Sequence, residues 1–223
     1  MKVLTIDIGG TNVKMRVSGT EEIRKFESGL TLTPEPMVSG VLQATSDWDY
    51  EVISIGYPGP VVRDRIVREP VNLGAGWMGF DLAARFGKPV KIINDAAMQA
   101  LGSYDGGTML FIGLGTGMGS ALVIDHKVAP LELAHLPYRK SRTYEDYVGV
   151  RALERVGKKR WQFFVEDVVA RLKAALVADS VVIGGGNAKK LKRVPPGARL
   201  GDNTHAFIGG FRLWEDRGGE VVK

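Results

Sequence analysis

Cysteine, long apolar runs and the two commonest nucleotide-binding loops are all missing from this sequence. Without cysteine the chain has neither disulfides nor thiolate metal ligands, so we expect a reducing, cytoplasmic compartment and no zinc. A membrane-spanning helix needs about 20 apolar residues, and no such stretch occurs. The loop G-x-x-x-x-G-K-S/T is absent, and "GLGTGMG" lacks the G-x-G-x-x-G spacing of dinucleotide-binding domains. We therefore expect no membrane insertion, no P-loop and no Rossmann-type site.

The composition is that of a folded protein rich in glycine. The chain has 223 residues, a length that suits one large domain or two lobes. Its 29 glycines cluster after apolar runs, which is typical of tight turns at strand ends. The net charge of +5 fits a polyanionic or phosphorylated partner, and it fits ordinary solubility charge equally well.

The two halves of the chain repeat one pattern of strand, glycine-rich turn and strand. The pattern occurs as "LTIDIGGTNVKMRVSG" at 4–19 and as "LFIGLGTGMGSALVID" at 110–125. Hydrophobic periodicity predicts further buried strands and the helices between them. The strands are expected at Val52–Ile55, Val90–Ile93 and Val181–Ile183, and the helices at Pro34–Trp48, Phe80–Phe86, Trp161–Ala178 and Thr204–Trp214. The sequence thus predicts two related α/β lobes.

Three glycine-rich turns are candidates for phosphate binding: 9–12, 113–119 and 184–187. Glycine lets backbone N–H groups approach a phosphate, and ligands of open α/β sheets bind at the carboxyl ends of strands. Lys14 adds a positive charge near the first turn, although each turn alone is also explained by tight chain reversal. Asp7 interrupts a buried strand, which is costly unless the carboxylate is paired or bound to a cation. It is either a Mg²⁺ ligand or a side chain hydrogen-bonded to the adjacent turn.

Asp95 has two interpretations. In "KPVKIINDAAMQALGSY" an apolar strand ends at Asn94-Asp95, and a helical stretch follows. Asn and Asp both cap helices, because their side-chain oxygens accept the free N–H groups of the first turn. The alternative is a chemical group at the mouth of a cleft between the lobes.

A second polar cluster lies in "LELAHLPYRKSRTYEDY". Glu132 and His135 are three residues apart, so they share a face in a helical turn and could bind the hydroxyls of a sugar. Taken singly, His135 is equally a structural histidine, and Glu145-Asp146 a solvated helix start. A metal site is not expected here, because no second His gives an H-E-x-x-H arrangement.

The order of the motifs resembles that of the sugar kinases of the ROK family, within the hexokinase–actin-like superfamily. The resemblance is carried by "IDIGGTNVK", "GYPGPV", "NLGAGW", "INDA", "GLGTGMGSAL", "ELAH" and "VVIGGG". Among these kinases the motifs most resemble those of bacterial polyphosphate glucokinases. The resemblance implies a two-lobed, actin-like ATPase (ribonuclease H-like) fold with a cleft. The lobes are expected at 1–98 and 99–204, with a C-terminal helix at about 205–223 packing back on the first, in a homodimer.

The resemblance also implies a role for each matching residue. Asp95 would be the general base for the 6-hydroxyl of glucose, and Asp7 would serve Mg²⁺. The sugar hydroxyls would be bound by Asn72, Asn94, Asp95, Glu132, His135 and Glu145. The phosphates or nucleotide of the donor, polyphosphate or ATP, would be bound by Gly9, Gly10, Thr11, Asn12, Lys14, Gly115, Thr116, Gly117, Gly185 and Gly186.

The sequence departs from the family pattern in two ways. The cysteine-rich zinc motif that many members carry after the histidine is missing, and Ala134 replaces the usual glycine between Glu132 and His135. The alternatives to a glucokinase are a kinase for another hexose or an amino sugar, and a non-catalytic sugar or nucleotide sensor. No DNA partner is expected, because the first glycine turn begins at Gly9 and leaves no room for an N-terminal helix-turn-helix.

Overall fold

The computed structural model describes residues 1–215. Two five-stranded sheets form its framework, and each contains both parallel and antiparallel pairs. The first sheet contains β1 (Val3–Ile8), β2 (Asn12–Val17), β3 (Arg24–Glu27), β4 (Val52–Tyr57) and β7 (Val90–Asn94). The second contains β8 (Thr108–Leu114), β9 (Met118–Ile124), β10 (Lys127–Leu131), β13 (Ser180–Gly184) and β14 (Ala198–Leu200). Two short hairpins lie outside them: β5 (Val61–Val62) with β6 (Arg65–Ile66), and β11 (Pro137–Arg139) with β12 (Arg142–Thr143).

Six α-helices are found in the described part of the chain. They are α1 (Pro34–Ala44), α2 (Leu82–Phe86), α3 (Asp95–Ser103), α4 (Glu145–Val148), α5 (Val150–Ala175) and α6 (His205–Arg212), with 3₁₀ turns at Leu133–His135 and Ala188–Lys190. Among residues 1–215 none of these helices combines the length and apolar character needed to cross a lipid bilayer.

The two sheets have the same topology. Their strand orders are β3-β2-β1-β4-β7 and β10-β9-β8-β13-β14. In each sheet the first three strands are antiparallel neighbours and the last two pairings are parallel. The repeated pattern of strand, turn and strand therefore forms the centre of both sheets, as the sequence predicts.

Several element boundaries differ from those predicted. Helix α2 begins at Leu82 rather than Phe80, because the side chain of Asp81 accepts the N–H of Ala84 and caps it there. Helix α5 starts eleven residues before the predicted Trp161, at Val150, and is interrupted at Gly157, where φ is 73°. The edge strands β10 and β14 were not predicted.

Helix α6 packs closely on α3 through glycines. A Cβ atom at Gly209 would lie 1.8 Å from the carbonyl oxygen of Met98, and one at Gly102 would lie 1.8 Å from that of His205. On its other side α6 meets the first sheet, where Ser54 Oγ donates to the carbonyl of Gly210 at 2.6 Å. The glycines that weaken α6 as an isolated helix therefore permit its packing.

The predicted lobe boundary between residues 98 and 99 stays a prediction. It falls inside α3, which contacts β4 of the first sheet and β8, β9 and β10 of the second. Residues 216–223 of the predicted C-terminal helix lie outside the described residues.

Candidate active site

Asn94, and not Asp95, caps helix α3. Asn94 Oδ1 accepts the N–H of Ala97 at 3.1 Å, and Nδ2 donates to the carbonyl of Gly59 at 3.2 Å. Asp95 is the first helical residue, one position after the cap. The carboxylate of Asp95 is therefore not the cap of the helix, and its interpretation as a chemical group at the mouth of a cleft stays a prediction.

Asp95 is half-buried in an electrostatically unfavourable place for a carboxylate. Its Oδ1 accepts the N–H of Ala96 at 2.7 Å. Burial, the negative charge of Asp7 and, to a smaller extent, that of Glu132 raise the pKa of Asp95 to about 7, against the lowering effect of its backbone hydrogen bonds. Glu132 follows the second sheet, and Asp7 is on the first. Carboxylates from both halves of the molecule thus act on Asp95.

The pairing of the first sheet explains why Asp7 and Asp95 are neighbours. Asp7 lies opposite Gly56 of β4, which lies opposite Ile93 of β7, so all three are at the carboxyl end of parallel strands. A Cβ atom at Gly56 would be 2.3 Å from Met98 Cε and 3.6 Å from the Cα of Asp95. The glycine therefore lets α3 approach the sheet and bring Asp95 over the strand that adjoins Asp7.

Asp7 has a single ion-pair partner among residues 1–215. Lys14, its neighbour across the β1–β2 hairpin, places Nζ 3.9 Å from Oδ2. Burial raises the pKa of the Asp7 carboxyl, and the Lys14 charge opposes this to a smaller extent. The hydrogen bond to the adjacent turn, one of the two interpretations of Asp7, is not among its contacts. A half-buried carboxylate with one distant cation retains oxygen atoms for another ligand.

The first glycine turn is fixed by Ser28 and flanked by Asn72. Ser28 Oγ donates to the carbonyl of Gly9 at 2.6 Å, and the N–H of Ser28 to that of Thr11 at 3.0 Å. Gly10 and Thr11 are left exposed. A Cβ atom at Gly10 would lie 3.1 Å from Cβ of Asn72. Asn72, predicted to bind sugar, therefore lies against the first phosphate-turn candidate.

Glu69 holds the loop that carries Asn72. Its carboxylate accepts the N–H groups of Gly76, Trp77 and Met78 at 3.0, 3.1 and 3.1 Å. Sequence analysis missed this residue, because nothing in the sequence indicates that one carboxylate folds back onto three later amides.

The second and third glycine turns form one structure. Asn187 Nδ2 donates to the carbonyl of Gly115 at 2.8 Å, and the N–H of Asn187 to that of Leu114 at 2.9 Å. Gly185 has φ of 83°, and a Cβ atom there would lie 2.5 Å from the carbonyl oxygen of Leu114. Residues 184–187 therefore support the 115–117 turn rather than forming a separate one.

Glu132 and His135 are paired, as their spacing predicts. The 3₁₀ turn Leu133–His135 brings Glu132 Oε2 to 3.6 Å from His135 Nε2, and both side chains are exposed. Ser120 attaches this turn to β9, because its Oγ donates to the carbonyl of Leu131 at 2.9 Å and accepts the N–H of Leu133 at 3.3 Å. Both groups are accessible to a polar ligand.

Glu145 lies on the second glycine turn. Its Oε2 accepts the N–H of Met118 at 3.3 Å, and a Cβ atom at Gly117 would be 2.0 Å from the same oxygen. The glycine is therefore needed for Glu145 to sit there. The carboxylate could contact a ligand between the turn and the 132–135 segment, so its sugar-binding role stays a prediction.

A match to a protein-family model establishes the family of this chain. The family model described as "ROK family" matches residues 3–130, more than half of the chain. The chain belongs to the ROK family, as its motifs predict.

Curated relatives of the chain are kinases with different acceptors. The polyphosphate glucokinase of Mycobacterium leprae is 25% identical over 212 residues, which is 86% of this chain and 65% of the relative. The chain thus spans just under two thirds of that protein's length. The N-acetylmannosamine kinase of Vibrio vulnificus is 30% identical over 148 residues, 57% of this chain and 49% of the relative. These names support the predicted class of phosphotransferase.

A solved structure confirms the predicted fold class. The inorganic polyphosphate/ATP-glucomannokinase of Arthrobacter sp. strain KM superposes with a TM-score of 0.79, covering 93% of this chain and 96% of that one at 24% identity. The two repeated sheets are therefore the lobes of the actin-like α/β fold.

Proposed function

We propose that this protein is a glucokinase that transfers a phosphoryl group from polyphosphate or ATP to the 6-hydroxyl of glucose. The main observation behind the proposal is that Asn94 and Asp95 have different roles at the start of α3. Asn94 provides the cap, so the carboxylate of Asp95 stays available at the edge of the sheet. The charges of Asp7, on the first sheet, and of Glu132, after the second, both act on it.

In this mechanism Asp95 accepts the proton of the attacking hydroxyl. The oxygen of the 6-hydroxyl bonds to the terminal phosphorus of the donor, the bond to the leaving phosphate breaks, and the proton passes to Asp95. A pKa of about 7 suits a general base near neutral pH. Glu132 and His135 would bind sugar hydroxyls, with Glu145 closing the site beside the donor turn. Asn94 and Asn72 would be further contacts for the sugar, since Asn94 Nδ2 uses one of its two hydrogens on the carbonyl of Gly59.

Backbone groups of the glycine turns would bind the donor phosphates. The N–H groups of Gly9 and Gly115 donate within their own turns, to the carbonyls of Asn12 at 3.0 Å and Gly117 at 3.1 Å. The N–H groups of the residues that follow, Gly10, Thr11, Thr116 and Gly117, would therefore contact the phosphates, and Lys14 adds a positive charge. Mg²⁺ would be held by Asp7, with donor phosphate and water as the other ligands, and would neutralise charge on the transferred group. Residues 1–215 contain no cluster of three or more His, Asp or Glu side chains arranged for a metal. One carboxylate with phosphate ligands fits Mg²⁺, which often uses few protein ligands.

Two basic runs, 158–160 and 189–193, are joined through α5, and we take their proximity as support for polyphosphate as donor. Gln162 of α5 donates to the carbonyl of Arg193 at 2.9 Å and accepts the N–H of Lys192 at 3.0 Å. Glu166, one turn further, binds the Arg193 guanidinium at 2.7 and 2.8 Å. Lys158 precedes Gln162 by one helical turn and so lies on the same side of α5.

Four exposed lysines form the proposed basic surface: Lys158, Lys159, Lys189 and Lys192. Arg193 is not counted, because Glu166 binds its guanidinium. The run 189–193 begins directly after the 184–187 turn that supports the donor turn. A chain of phosphates leaving the active site in this direction would meet successive positive charges. The names of the M. leprae and Arthrobacter relatives both contain polyphosphate, which also supports it as the donor.

The second candidate is a kinase for another hexose or an amino sugar. The N-acetylmannosamine kinase of V. vulnificus, at 30% identity, favours it. A non-catalytic sensor of the same fold is the third, and an available Asp95 argues against it.

A donor-by-sugar activity panel tests the proposal. Purified protein with Mg²⁺ is assayed with polyphosphate and with ATP against glucose, mannose, N-acetylmannosamine and N-acetylglucosamine. We expect glucose 6-phosphate as the main product. A preference for an amino sugar would replace glucokinase with the second candidate, and no product from any pair would favour the sensor.

The donor assignment has its own test. The double variant Lys158→Gln/Lys192→Gln loses two exposed charges worth together about 1 kcal/mol, so the KM for polyphosphate should rise about fivefold. The KM for ATP should change less, and Lys2→Gln/Arg65→Gln, exposed cations on the first lobe, should change neither. Salt should weaken the polyphosphate reaction more than the ATP reaction. A polyphosphate reaction that salt leaves unchanged while the ATP reaction falls would exclude the basic surface as donor track.

A further inference from the structure

The β11–β12 hairpin connects the two sides of the candidate sugar site. His135 lies just before β11, and Glu145 lies just after β12. The hairpin has only two paired positions, Pro137 with Thr143 and Arg139 with Arg142. A two-stranded hairpin of this size is at best marginally stable by itself. Its position must therefore be fixed by contacts with the rest of the protein, which add to the attachments that Ser120 and Met118 give the residues at its ends.

One carboxylate on α5 provides the central polar contact. Asp167 Oδ2 accepts hydrogen bonds from the hydroxyl of Tyr138 at 2.5 Å, from Nη2 of Arg139 at 3.0 Å and from Nε of Arg171 at 2.8 Å. Burial alone would raise the pKa of Asp167, yet these donors hold it below its usual range. The carboxylate is thus ionised and neutralises an arginine from the hairpin and one from its own helix.

Aromatic rings complete the attachment. Tyr138 of β11 packs on Tyr144 and Tyr147, each with ring centroids 5.0 Å away, and Tyr147 packs edge-on against Phe164 of α5 at 4.8 Å. The hydroxyl of Tyr147 also donates to the carbonyl of Arg139 at 3.3 Å. Because Tyr138 belongs both to this cluster and to the Asp167 contact, the carboxylate fixes the position of the whole hairpin.

We propose that Asp167 is a positioning residue for sugar binding, which it supports by holding the hairpin that places His135 and Glu145. The inference rests on the proposed function. The donor turn has separate supports, since Asn187 binds Gly115 and the N–H of Val150 donates to the carbonyl of Thr116 at 3.1 Å. Loss of Asp167 should therefore weaken the binding of the sugar more than the binding of the donor.

The kinetic test compares Michaelis constants for the two substrates. In Asp167→Ala we expect the KM for sugar to rise about tenfold, the effect of losing a partly buried carboxylate that accepts three hydrogen bonds, while the KM for the donor stays within about twofold. Asp167→Asn, which keeps an acceptor oxygen, should recover part of the loss, and Tyr138→Phe should show a smaller effect in the same direction. Asp105→Asn is the matched control, because Asp105 pairs with Arg199 at 2.9 Å elsewhere on the second lobe.

Hydrogen–deuterium exchange gives a readout that does not depend on activity. Asp167→Ala should exchange faster over residues 136–148, including the N–H of Tyr144 that is bonded to Leu136, with the sheets still protected. Unchanged exchange there, or faster exchange with both Michaelis constants equal to those of the wild type, would overturn the inference. A wild-type protein inactive on every sugar would instead overturn the proposed function and with it the kinetic role, while exchange would still report whether Asp167 holds the hairpin.

Discussion

Replacing Asp95 with Asn should stabilise the free protein while removing its activity. The pKa of this carboxyl rises from an ordinary 3.8 to about 7 in the folded protein, so above pH 7 the folded state holds an ionised group in an unfavourable place. One pKa unit corresponds to about 1.4 kcal/mol, which gives an upper value of about 4 kcal/mol. Solvent that reaches the half-buried side chain reduces the expected gain to about 2–4 kcal/mol.

The sign and the pH window follow from the direction of the shift. Because the folded protein binds the Asp95 proton more tightly than the unfolded chain does, ionisation of Asp95 lowers the free energy of unfolding as pH rises from about 4 to about 7. The gain from Asp95→Asn should therefore be full at pH 8 and below about 1 kcal/mol near pH 4.5. The amide can still accept the N–H of Ala96.

Urea denaturation without Mg²⁺ or ligands, at pH 8 and pH 4.5, measures this difference. The control is Asp81→Asn, which changes the exposed cap of α2 and should alter stability by less than about 0.5 kcal/mol, because Asn caps as well as Asp. Turnover of Asp95→Asn should fall at least a hundredfold if Asp95 is the base. An Asp95→Asn protein that is less stable by the same amount at both pH values would show that the carboxylate has only a structural role, and the reasoning would fail.

Two further predictions concern the charge on Asp95 and the packing of α3. The kcat/KM for sugar should rise with pH as Asp95 ionises, with a midpoint below about 7, because Mg²⁺ at Asp7 would offset a charge that raises the pKa of Asp95. Glu132→Gln should move that midpoint to still lower pH, because the Glu132 charge also raises the pKa of Asp95. A midpoint that does not move would contradict this assignment. Gly209→Ala should cost about 3 kcal/mol or more in urea denaturation, because the new Cβ would lie 1.8 Å from the Met98 carbonyl oxygen. Gly40→Ala in α1, where the Cβ would meet only the ring of Phe26, should cost less than about 1 kcal/mol; equal costs would refute the close-packing argument.

The fold could be predicted from the sequence where its pattern of apolar residues and glycines is local and occurs twice. Strand, turn and strand follow each other within sixteen residues in both halves, so apolar runs and glycines alone predicted both central hairpins. Two of the edge strands gave no such signal: β10 contains Pro130, which is tolerated at a sheet edge but lowers strand propensity, and β14 has three residues. Their existence depends on pairing with strands already in place.

The candidate site was predicted in its residue types and less well in its geometry. Asn94 and Asp95 can both cap a helix, so only the observed start of α3 separates their roles. Glu145 follows the β11–β12 hairpin and contacts Gly117, and the hairpin itself packs on Asp167, more than twenty positions after Glu145. Long-range packing of this kind leaves no trace in the spacing of the motif itself.

The repeated sheet also shows how two copies of one scaffold can diverge in chemistry. Alignment of the repeats places Gly113 of β8 where β1 has Asp7, and the pairing agrees, since each lies beside a glycine of the next parallel strand. One copy thus supplies a carboxylate and a lysine, and the other supplies an uncharged turn that accommodates Glu145 from outside the repeat. The two repeats thus have equivalent strand ends, one of which carries charged side chains while the other gives space to a side chain from elsewhere in the chain.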